Sequence, residues 1–106
     1  MEKDINEISF EIIAYSGDAR SFAFQALNEA KKQNYEKADE LLQKAKDADV
    51  KAHQAQTDLL FDEMAGKESK VNVLLVHSQD HLMTSMLALE LIEEMIELYK
   101  KVDQNR

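Results

Sequence analysis

The scarcity of chain-breaking residues constrains the fold of this sequence more than any other feature. The 106 residues include no proline and only two glycines, Gly17 and Gly66. Sheets built from short strands need turn residues at short intervals, and this chain offers almost none. It is instead rich in good helix formers such as Ala, Leu, Glu and Lys. We therefore expect an all-α fold made of a few long helices.

Apolar spacing divides the chain into three predicted helices, at about residues 4–32, 35–65 and 70–102. In the first, apolar residues recur every three or four positions: Ile5, Ile8, Ile12, Tyr15, Ala19, Phe22 and Ala26. The second carries a narrower stripe of mostly small residues: Tyr35, Ala38, Leu41, Ala45, Ala48, Ala52, Ala55 and Leu59. Asn34 is placed to begin the second helix as its N-cap, and Gly66 to end it as a C-cap. The simplest packing is one domain over residues 1–106, an antiparallel up-down-up three-helix bundle.

The first predicted helix has two irregularities. Ile13, Phe24 and Leu27 lie off its main apolar stripe, so we expect this helix to meet more than one neighbour. Gly17 interrupts the helix at a cost of about 1 kcal/mol relative to alanine. Close packing against another helix and a slight kink are both compatible with that glycine.

Charge and cysteine content exclude several function classes. The chain has 21 acidic and 13 basic residues and a net charge of −8, the opposite of what a general nucleic-acid binder needs. It has no cysteine, which excludes disulfides and thiolate metal sites. Its acidic N-terminal sequence lacks the basic and apolar character of an export signal, which favours a cytoplasmic protein.

The third predicted helix is depleted of charge. At 32% charged residues overall, the segment 71–89 should carry about six charges, yet it carries only Asp80. Polar residues interrupt its apolar run, so it is not a membrane span. On a projection of about 100° per residue, a sparsely charged polar stripe lies opposite an apolar side. This pattern predicts two interfaces, one with the protein's own bundle and one with a partner protein or a second copy. The stripe consists of His77, Asp80, His81 and Thr84.

Three interpretations of His77 and His81 remain open at this point. They can be a hydrogen-bonded pair at an interface. They can share a metal ion, because histidines four apart lie on one helix face, although further ligands and the glutamate of an HExxH motif are missing. Alternatively, His77 is a nucleophile, since a neutral imidazole can attack a phosphoryl group at neutral pH. In that case His81 would hold the tautomer of His77 or stabilise charge, and Thr84 or Ser78 would donate a hydrogen bond to a phosphoryl oxygen.

Two further polar features have simpler explanations. His53 follows the alanine stripe of the second predicted helix, and we expect it at the edge of a helix interface. An acidic run in the third helix is most simply a solvated face, with a carboxylate cation site as the alternative. This run comprises Glu90, Glu93, Glu94 and Glu97.

Three blocks of the sequence resemble one family. Residues 77–84, HSQDHLMT, look like the active-site signature of the lactose/cellobiose-type IIA proteins of the phosphoenolpyruvate-dependent sugar phosphotransferase system. Residues 17–21, GDARS, resemble the family's Gly-x-Ala-Arg-Ser segment in the first helix. Residues 52–60, AHQAQTDLL, resemble its Ala-His-x-x-Gln-Thr block in the second. Together the blocks span almost the whole chain in the family's order.

The resemblance implies a phosphocarrier that assembles as a homotrimer of three-helix bundles. His77 would accept a phosphoryl group from the phosphocarrier protein HPr and pass it to the cysteine of a IIB component. That component would phosphorylate a β-linked disaccharide during uptake through a membrane IIC permease. Asp80 would meet its two copies around a structural Mg²⁺ ion at the trimer axis, since clustered carboxylates repel without a cation or protons. Gln79, His81 and Thr84 are the candidate residues that contact the phosphate or the partners.

The sequence departs from the family pattern at two positions away from the proposed chemistry. Ser78 stands where alanine is common, and Met64 precedes Ala65 and Gly66 where the family often has glutamate. A non-catalytic trimeric scaffold or regulator is one rival interpretation. A two-component histidine phosphotransfer domain is another. Such a domain usually carries a basic residue close after its histidine, whereas none follows His77 until Lys100.

Overall fold

The computed structural model describes residues 4–67 and 71–106, which form three long helices. These are α1 (Ile5–Lys31), α2 (Tyr35–Met64) and α3 (Val73–Gln104). The all-α prediction is therefore confirmed, and the predicted ends of the helices agree with the observed ones to within three residues. Residue 70, where the third helix was expected to begin, lies outside the described residues. None of the described helices is long and apolar enough to cross a membrane.

Polar contacts at the two ends of the bundle define its topology. At one end, the Asn72 side-chain amide at the start of α3 donates to Asn6 Oδ1 at the start of α1 over 3.1 Å. At the other end, the Tyr35 hydroxyl at the start of α2 donates to Asp103 Oδ2 of α3 over 2.5 Å, and this bond raises the pKa of Tyr35. The chain therefore runs up, down and up, as predicted.

Local capping explains where two of the helices begin. Asp4 Oδ1 accepts a hydrogen bond from the Glu7 backbone N–H over 2.8 Å at the start of α1, and Asn72 Oδ1 accepts from Leu75 over the same distance at the start of α3. Asn34 occupies the predicted N-cap position of α2. Its side chain, however, donates to Glu29 Oε2 over 2.9 Å and forms no cap bond.

Gly66 terminates α2 as predicted. Its φ of 88° is in the left-handed region that favours glycine. The Gly66 N–H donates to the Glu63 carbonyl, and the Lys67 N–H donates to the Asp62 carbonyl. These two bonds form a Schellman motif, which satisfies the last carbonyl groups of the helix.

α1 is the helix that the other two share. It packs extensively along both α2 and α3, whereas α2 and α3 share a much smaller contact. Alanines line the buried faces of α1 and α2, so the axes approach closely, and α3 supplies larger side chains. The main cluster contains Ala23, Ala26, Leu27, Ala30, Ala38, Leu42, Ala45, Leu89, Ile92 and Ile96. A second, nearer the start of α1, contains Ile8, Ile12, Ala52, Ala55 and Leu82.

The irregularities of α1 have a simple structural outcome. Of the three off-stripe residues, Leu27 is buried and Ile13 is half-buried, which confirms that α1 meets two neighbours. Phe24 instead remains 46% exposed. A Cβ atom added at Gly17 would meet nothing within 4 Å, so close packing against the helices of the same chain does not explain this glycine.

Side-chain polar contacts supplement the small α2–α3 interface. Lys100 Nζ of α3 pairs with Asp39 of α2 over 2.8 Å, and Lys46 of α2 pairs with Glu93 of α3. Asp49 of α2 differs from these paired groups. Its Oδ1 atom is buried and has no hydrogen-bond partner among the described residues.

Burial is the largest influence on the ionisation of Asp49. It raises the pKa of the carboxyl group from its ordinary value near 3.8, while the neighbouring His53 opposes the shift and Glu90 of α3 adds to it. His53 itself is exposed on α2, directly after Ala52, which is buried in the second core cluster. This agrees with the predicted position of His53 at the edge of a helix contact.

Four serines are fully buried in this otherwise apolar core. The Ser9 hydroxyl donates to the Ile5 carbonyl over 2.7 Å, and the Ser78 hydroxyl donates to the Leu75 carbonyl over 2.6 Å. The hydroxyls of Ser16 and Ser85 are equally buried but have no partner among the described residues. A buried hydroxyl without a hydrogen bond destabilises the folded state.

We predict that Ser16→Ala raises the free energy of unfolding by about 1 kcal/mol, because it removes a buried and unpaired hydroxyl and improves helix propensity. Ser9→Ala is the matched control, since it removes an equally buried hydroxyl that does donate a hydrogen bond. Urea unfolding of all three proteins at one protein concentration measures the difference. Equal effects of the two substitutions would contradict the assignment of Ser16 as unsatisfied.

We also predict that Asp49→Asn stabilises the protein at neutral pH. The folded-state pKa of Asp49 lies above the unfolded value, so the folded state binds the proton more tightly. The charged Asp49 carboxylate therefore destabilises the folded wild-type protein. This destabilisation is absent at pH values below the unfolded pKa, grows as the pH rises through the raised folded-state pKa, and is complete above it. Urea unfolding across this acidic-to-neutral range should show a gain that disappears at low pH. Asp47→Asn, at an exposed position of α2, controls for the loss of one negative charge.

Candidate functional site

His77 lies on the second turn of α3 and is exposed to solvent. Its position follows from the Asn72 cap, which fixes where the helix starts. The imidazole packs against that of His81, one turn later, with ring centroids 4.5 Å apart and ring planes at 80°. The structure therefore brings together the two predicted histidines and leaves His77 accessible to a large reactant.

His81 is half-buried beneath this contact. Its Nδ1 atom is buried and has no hydrogen-bond partner within the described parts of the chain. The ring is thus held by packing against His77 and the helix rather than by a carboxylate or a carbonyl group. Such a ring can restrict the orientation of the neighbouring imidazole.

Asp80 is exposed at the centre of an apolar stripe on α3. The stripe faces away from the buried side of the helix and its members recur at intervals of three, four or seven residues, a pattern typical of helix–helix seams. Among the residues the structure describes, Asp80 forms no hydrogen bond or ion pair through its carboxylate. The exposed apolar residues of this stripe are Val73, Val76, Met83, Leu87, Leu91 and Leu98.

The opposite side of α3 faces the core, where Ser78, Leu82 and Ser85 are fully buried. The suggestion that Ser78 contacts a phosphoryl oxygen was therefore wrong. Its hydroxyl is enclosed and donates to the Leu75 carbonyl instead. Ser78 lies one helical turn before the buried Leu82 and shares its face, so the spacing of four residues was the signal that could have placed it in the core.

Gln79 faces α2. Its Oε1 atom accepts a hydrogen bond from Gln56 Nε2 over 2.5 Å, and its Nε2 atom lies 3.4 Å from Ser78 Oγ. Residues two apart on a helix do not share a face, so Gln79 points away from the His77 of its own chain. Contact between Gln79 and a phosphoryl group stays a prediction. Gln56 is a partner that the sequence alone did not single out, although it lies within the family-like block 52–60.

Thr84 is exposed one turn beyond Asp80. Its hydroxyl donates to the Asp80 carbonyl over 2.8 Å and approaches the His81 carbonyl at 3.3 Å. The proton is engaged within the helix, while the oxygen and the methyl group remain on the surface. Its predicted contact with a phosphoryl group or a partner stays a prediction.

The described residues contain no group of three or more His, Cys, Asp or Glu side chains that is able to hold a metal ion. Within the described parts of the chain, no further His, Cys, Asp or Glu side chains complete a metal site around His77 and His81. The acidic run of α3 forms no such group either, and its member Glu93 pairs with Lys46.

Comparisons with known proteins identify the family. The chain matches the family model of the lactose/cellobiose-specific IIA subunit of the phosphotransferase system over residues 7–100. It is 49% identical over 94 residues to the lactose-specific EIIA component of Streptococcus mutans, a match that covers 89% of this chain and 90% of that protein.

Solved structures agree. The crystal structure of the cellobiose-specific enzyme IIA from Bacillus anthracis matches with a TM-score of 0.94 and 43% identity, over 100% of this chain and 97% of that chain. A IIA(chitobiose)–HPr complex from Escherichia coli gives a TM-score of 0.82 and 40% identity, over 96% of this chain and 99% of that chain. The chain therefore belongs to the lactose/cellobiose-specific IIA family, whose members are sugar-specific phosphotransfer components of the phosphotransferase system.

Proposed function

We propose that the chain is a phosphocarrier that uses His77 to relay a phosphoryl group between two proteins. The observation that carries this proposal is the exposed His77 imidazole, held against His81 on the second turn of α3. An imidazole nitrogen attacks phosphorus in its neutral form, and the resulting phosphoramidate is reactive enough to pass the group on. An interior histidine would be inaccessible to a protein donor.

The proposed donor is phosphorylated HPr. In the first step, a P–N bond forms to His77 as the P–N bond to the HPr histidine breaks. In the second step, the thiolate of a IIB cysteine attacks the phosphorus and the His77 imidazole leaves. The similarity to a IIA subunit solved in complex with HPr supports the donor, and membership of the family supports the acceptor.

Neighbouring side chains are proposed to assist the relay. The His81 ring limits rotation of His77 and can stabilise the phosphorylated imidazole. Thr84 and Gln79 are proposed to contact the phosphoryl group or the docked partners, with Gln79 acting across a subunit boundary because it faces away from the His77 of its own chain. The sparsely charged surface around the histidines suits two partners that dock in turn, since a relay requires each to leave.

We further propose a homotrimer with Mg²⁺ bound by Asp80 at its axis. The exposed apolar stripe on α3 is the surface that such an assembly would cover. An unpaired carboxylate fits a hard cation, and one chain has too few ligands to hold an ion alone among its described residues. Three copies of Asp80 would supply carboxylate oxygens to the ion, which would neutralise their mutual repulsion. The Mg²⁺ ion would take no part in the phosphoryl transfer.

The proposed physiological role is to supply phosphoryl groups, from the cytoplasm, for the uptake of a β-linked disaccharide. The relatives are named for lactose, cellobiose and chitobiose. The sugar would be phosphorylated by the IIB component while it passes through the membrane IIC permease. In that scheme this chain contacts neither the sugar nor the membrane.

We predict that phosphoenolpyruvate, enzyme I and HPr label the protein on His77. The label should survive base and be lost in acid, as expected of a phosphoramidate. His77→Ala should abolish it, whereas His53→Ala, which removes an exposed histidine of α2, should retain it. Autoradiography after acid and base treatment is the measurement. The proposal fails if the intact protein takes no label from that mixture.

If Asp80 binds Mg²⁺ at a trimer axis, we predict a solution mass of about three times 12.2 kDa for the wild-type protein. We also predict that its melting temperature falls when divalent cations are chelated. Asp80→Ala should remain able to accept phosphate, while its melting temperature no longer responds to chelator or Mg²⁺. Sedimentation velocity and thermal unfolding, each with and without chelator, provide the comparison. A folded, trimeric Asp80→Ala protein that cannot be labelled would assign Asp80 to the chemistry instead.

A further inference from the structure

A chain of hydrogen bonds connects α2 to the turn of α3 that carries His77. Gln56 Nε2 donates to Gln79 Oε1 over 2.5 Å, and Gln79 Nε2 lies 3.4 Å from Ser78 Oγ. The buried Ser78 hydroxyl in turn donates to the Leu75 carbonyl over 2.6 Å. The residues that flank His77 on both sides are therefore tied, through Gln79, to a side chain of another helix.

Few other contacts join α2 to α3 at this end of the bundle. The α2–α3 contact is much smaller than the contacts of α1, and its ion pairs lie further along α3, at Glu93 and Lys100. At the His77 end, α3 is also joined to α1 through the hydrogen bond between Asn72 and Asn6. Between Asn72 and Glu93, the hydrogen bond from Gln56 to Gln79 is the polar contact that joins α3 to α2 among the described residues.

Core packing of Leu82 and Leu89 sets the coarse orientation of α3, and the bond is well placed to limit the rotation about the helix axis that remains. At about 100° per residue, Gln79 and His77 point to nearly opposite sides of the helix. A rotation that moves Gln79 away from α2 displaces the His77 imidazole by a similar distance in the opposite direction. Both glutamines are half-buried, so water competes less for their amide groups than it does at the exposed surface.

We infer that Gln56 is a positioning residue for phosphotransfer at His77 and acts through Gln79. The inference rests on the function proposed above. In-line transfer between two histidines requires the attacking nitrogen to approach phosphorus closely and in the correct direction, and a displacement of about 1 Å can reduce a rate by about a hundredfold. Partial loss of the rotational constraint should therefore slow the transfer without abolishing it.

The test compares substitutions of two glutamines on the same helix. Gln56→Ala removes the contact with α3. Gln56→Asn keeps an amide but withdraws it by one methylene group, so that it falls short of Gln79. Gln54→Ala is the matched control, because exposed Gln54 donates to Asp58 of its own helix over 3.0 Å. Gln56→Glu restores a partner, since Gln79 can turn its amide and donate Nε2 to the new carboxylate.

Two readouts separate positioning from general stability. The first is the initial rate of labelling by phosphorylated HPr at a saturating concentration. We expect it to fall about tenfold in Gln56→Ala and Gln56→Asn, to recover substantially in Gln56→Glu and to be unchanged in Gln54→Ala. The second is the set of imidazole ¹⁵N signals of His77 in the unphosphorylated protein. These should shift in Gln56→Ala and Gln56→Asn but not in Gln54→Ala.

Failure of this inference differs visibly from failure of the proposed function. Wild-type protein that takes no label refutes the phosphocarrier proposal and, with it, any role of Gln56 in transfer. Wild-type protein that is labelled, together with Gln56→Asn labelled equally fast and with unchanged His77 signals, overturns the inference about Gln56 alone. Slow labelling of Gln56→Asn with no recovery in Gln56→Glu also overturns it, because the hydrogen bond is then not the cause. If Gln56→Ala does not fold, Gln56→Asn and Gln56→Glu decide the outcome.

Discussion

The packing of α1 between α2 and α3 is the interaction on which the rest of the molecule depends. Its buried alanines face alanines of α2 on one side and the large side chains of α3 on the other. Burial of this apolar surface is the dominant favourable contribution to folding in such a bundle. Because α3 turns Leu82, Leu89 and Ile96 toward α1, its opposite side must face outward. The exposure of Asp80 and the apolar residues around it is therefore a direct consequence of how the core is built.

Within a few turns, the side chains of α3 face three different environments. Ser78 and Leu82 face the core, Gln79 faces α2, and His77 and Asp80 face outward. A helix advances about 100° per residue, so consecutive residues in the segment 77–82 necessarily point in different directions. A compact motif in the sequence thus corresponds to residues that serve packing, helix attachment and surface chemistry separately. The closeness of two residues in the motif is no guide to whether they touch the same group.

The fold was largely predictable from the sequence because its determinants are local. The absence of proline and the apolar spacing predict three long helices, and Gly66 occupies the left-handed position that ends α2. The pairing of His77 with His81 also follows from a spacing of four residues. These features need only the geometry of one helix.

The remaining features depend on which neighbour each face meets. Ser16 and Ser85 are as buried as the adjacent apolar residues, although a small polar residue carries no signal of burial in the sequence. Phe24 is exposed although it is aromatic. The contact between Gln56 and Gln79 joins residues 23 positions apart and depends on the rotation of two helices. No periodicity within either helix contains that information.

The position of Asp80 also has a consequence for register. A purely apolar stripe of valine, methionine and leucine can associate with another such stripe in several alignments of similar energy, each displaced by one helical turn. A single carboxylate removes this degeneracy. In the proposed assembly, a displacement by one turn would press the charge against Val76 or Met83, where it would lose its water without compensation. In the proposed trimer, one acidic residue on an apolar surface would therefore select a unique alignment between copies, and with it the position at which each His77 is presented.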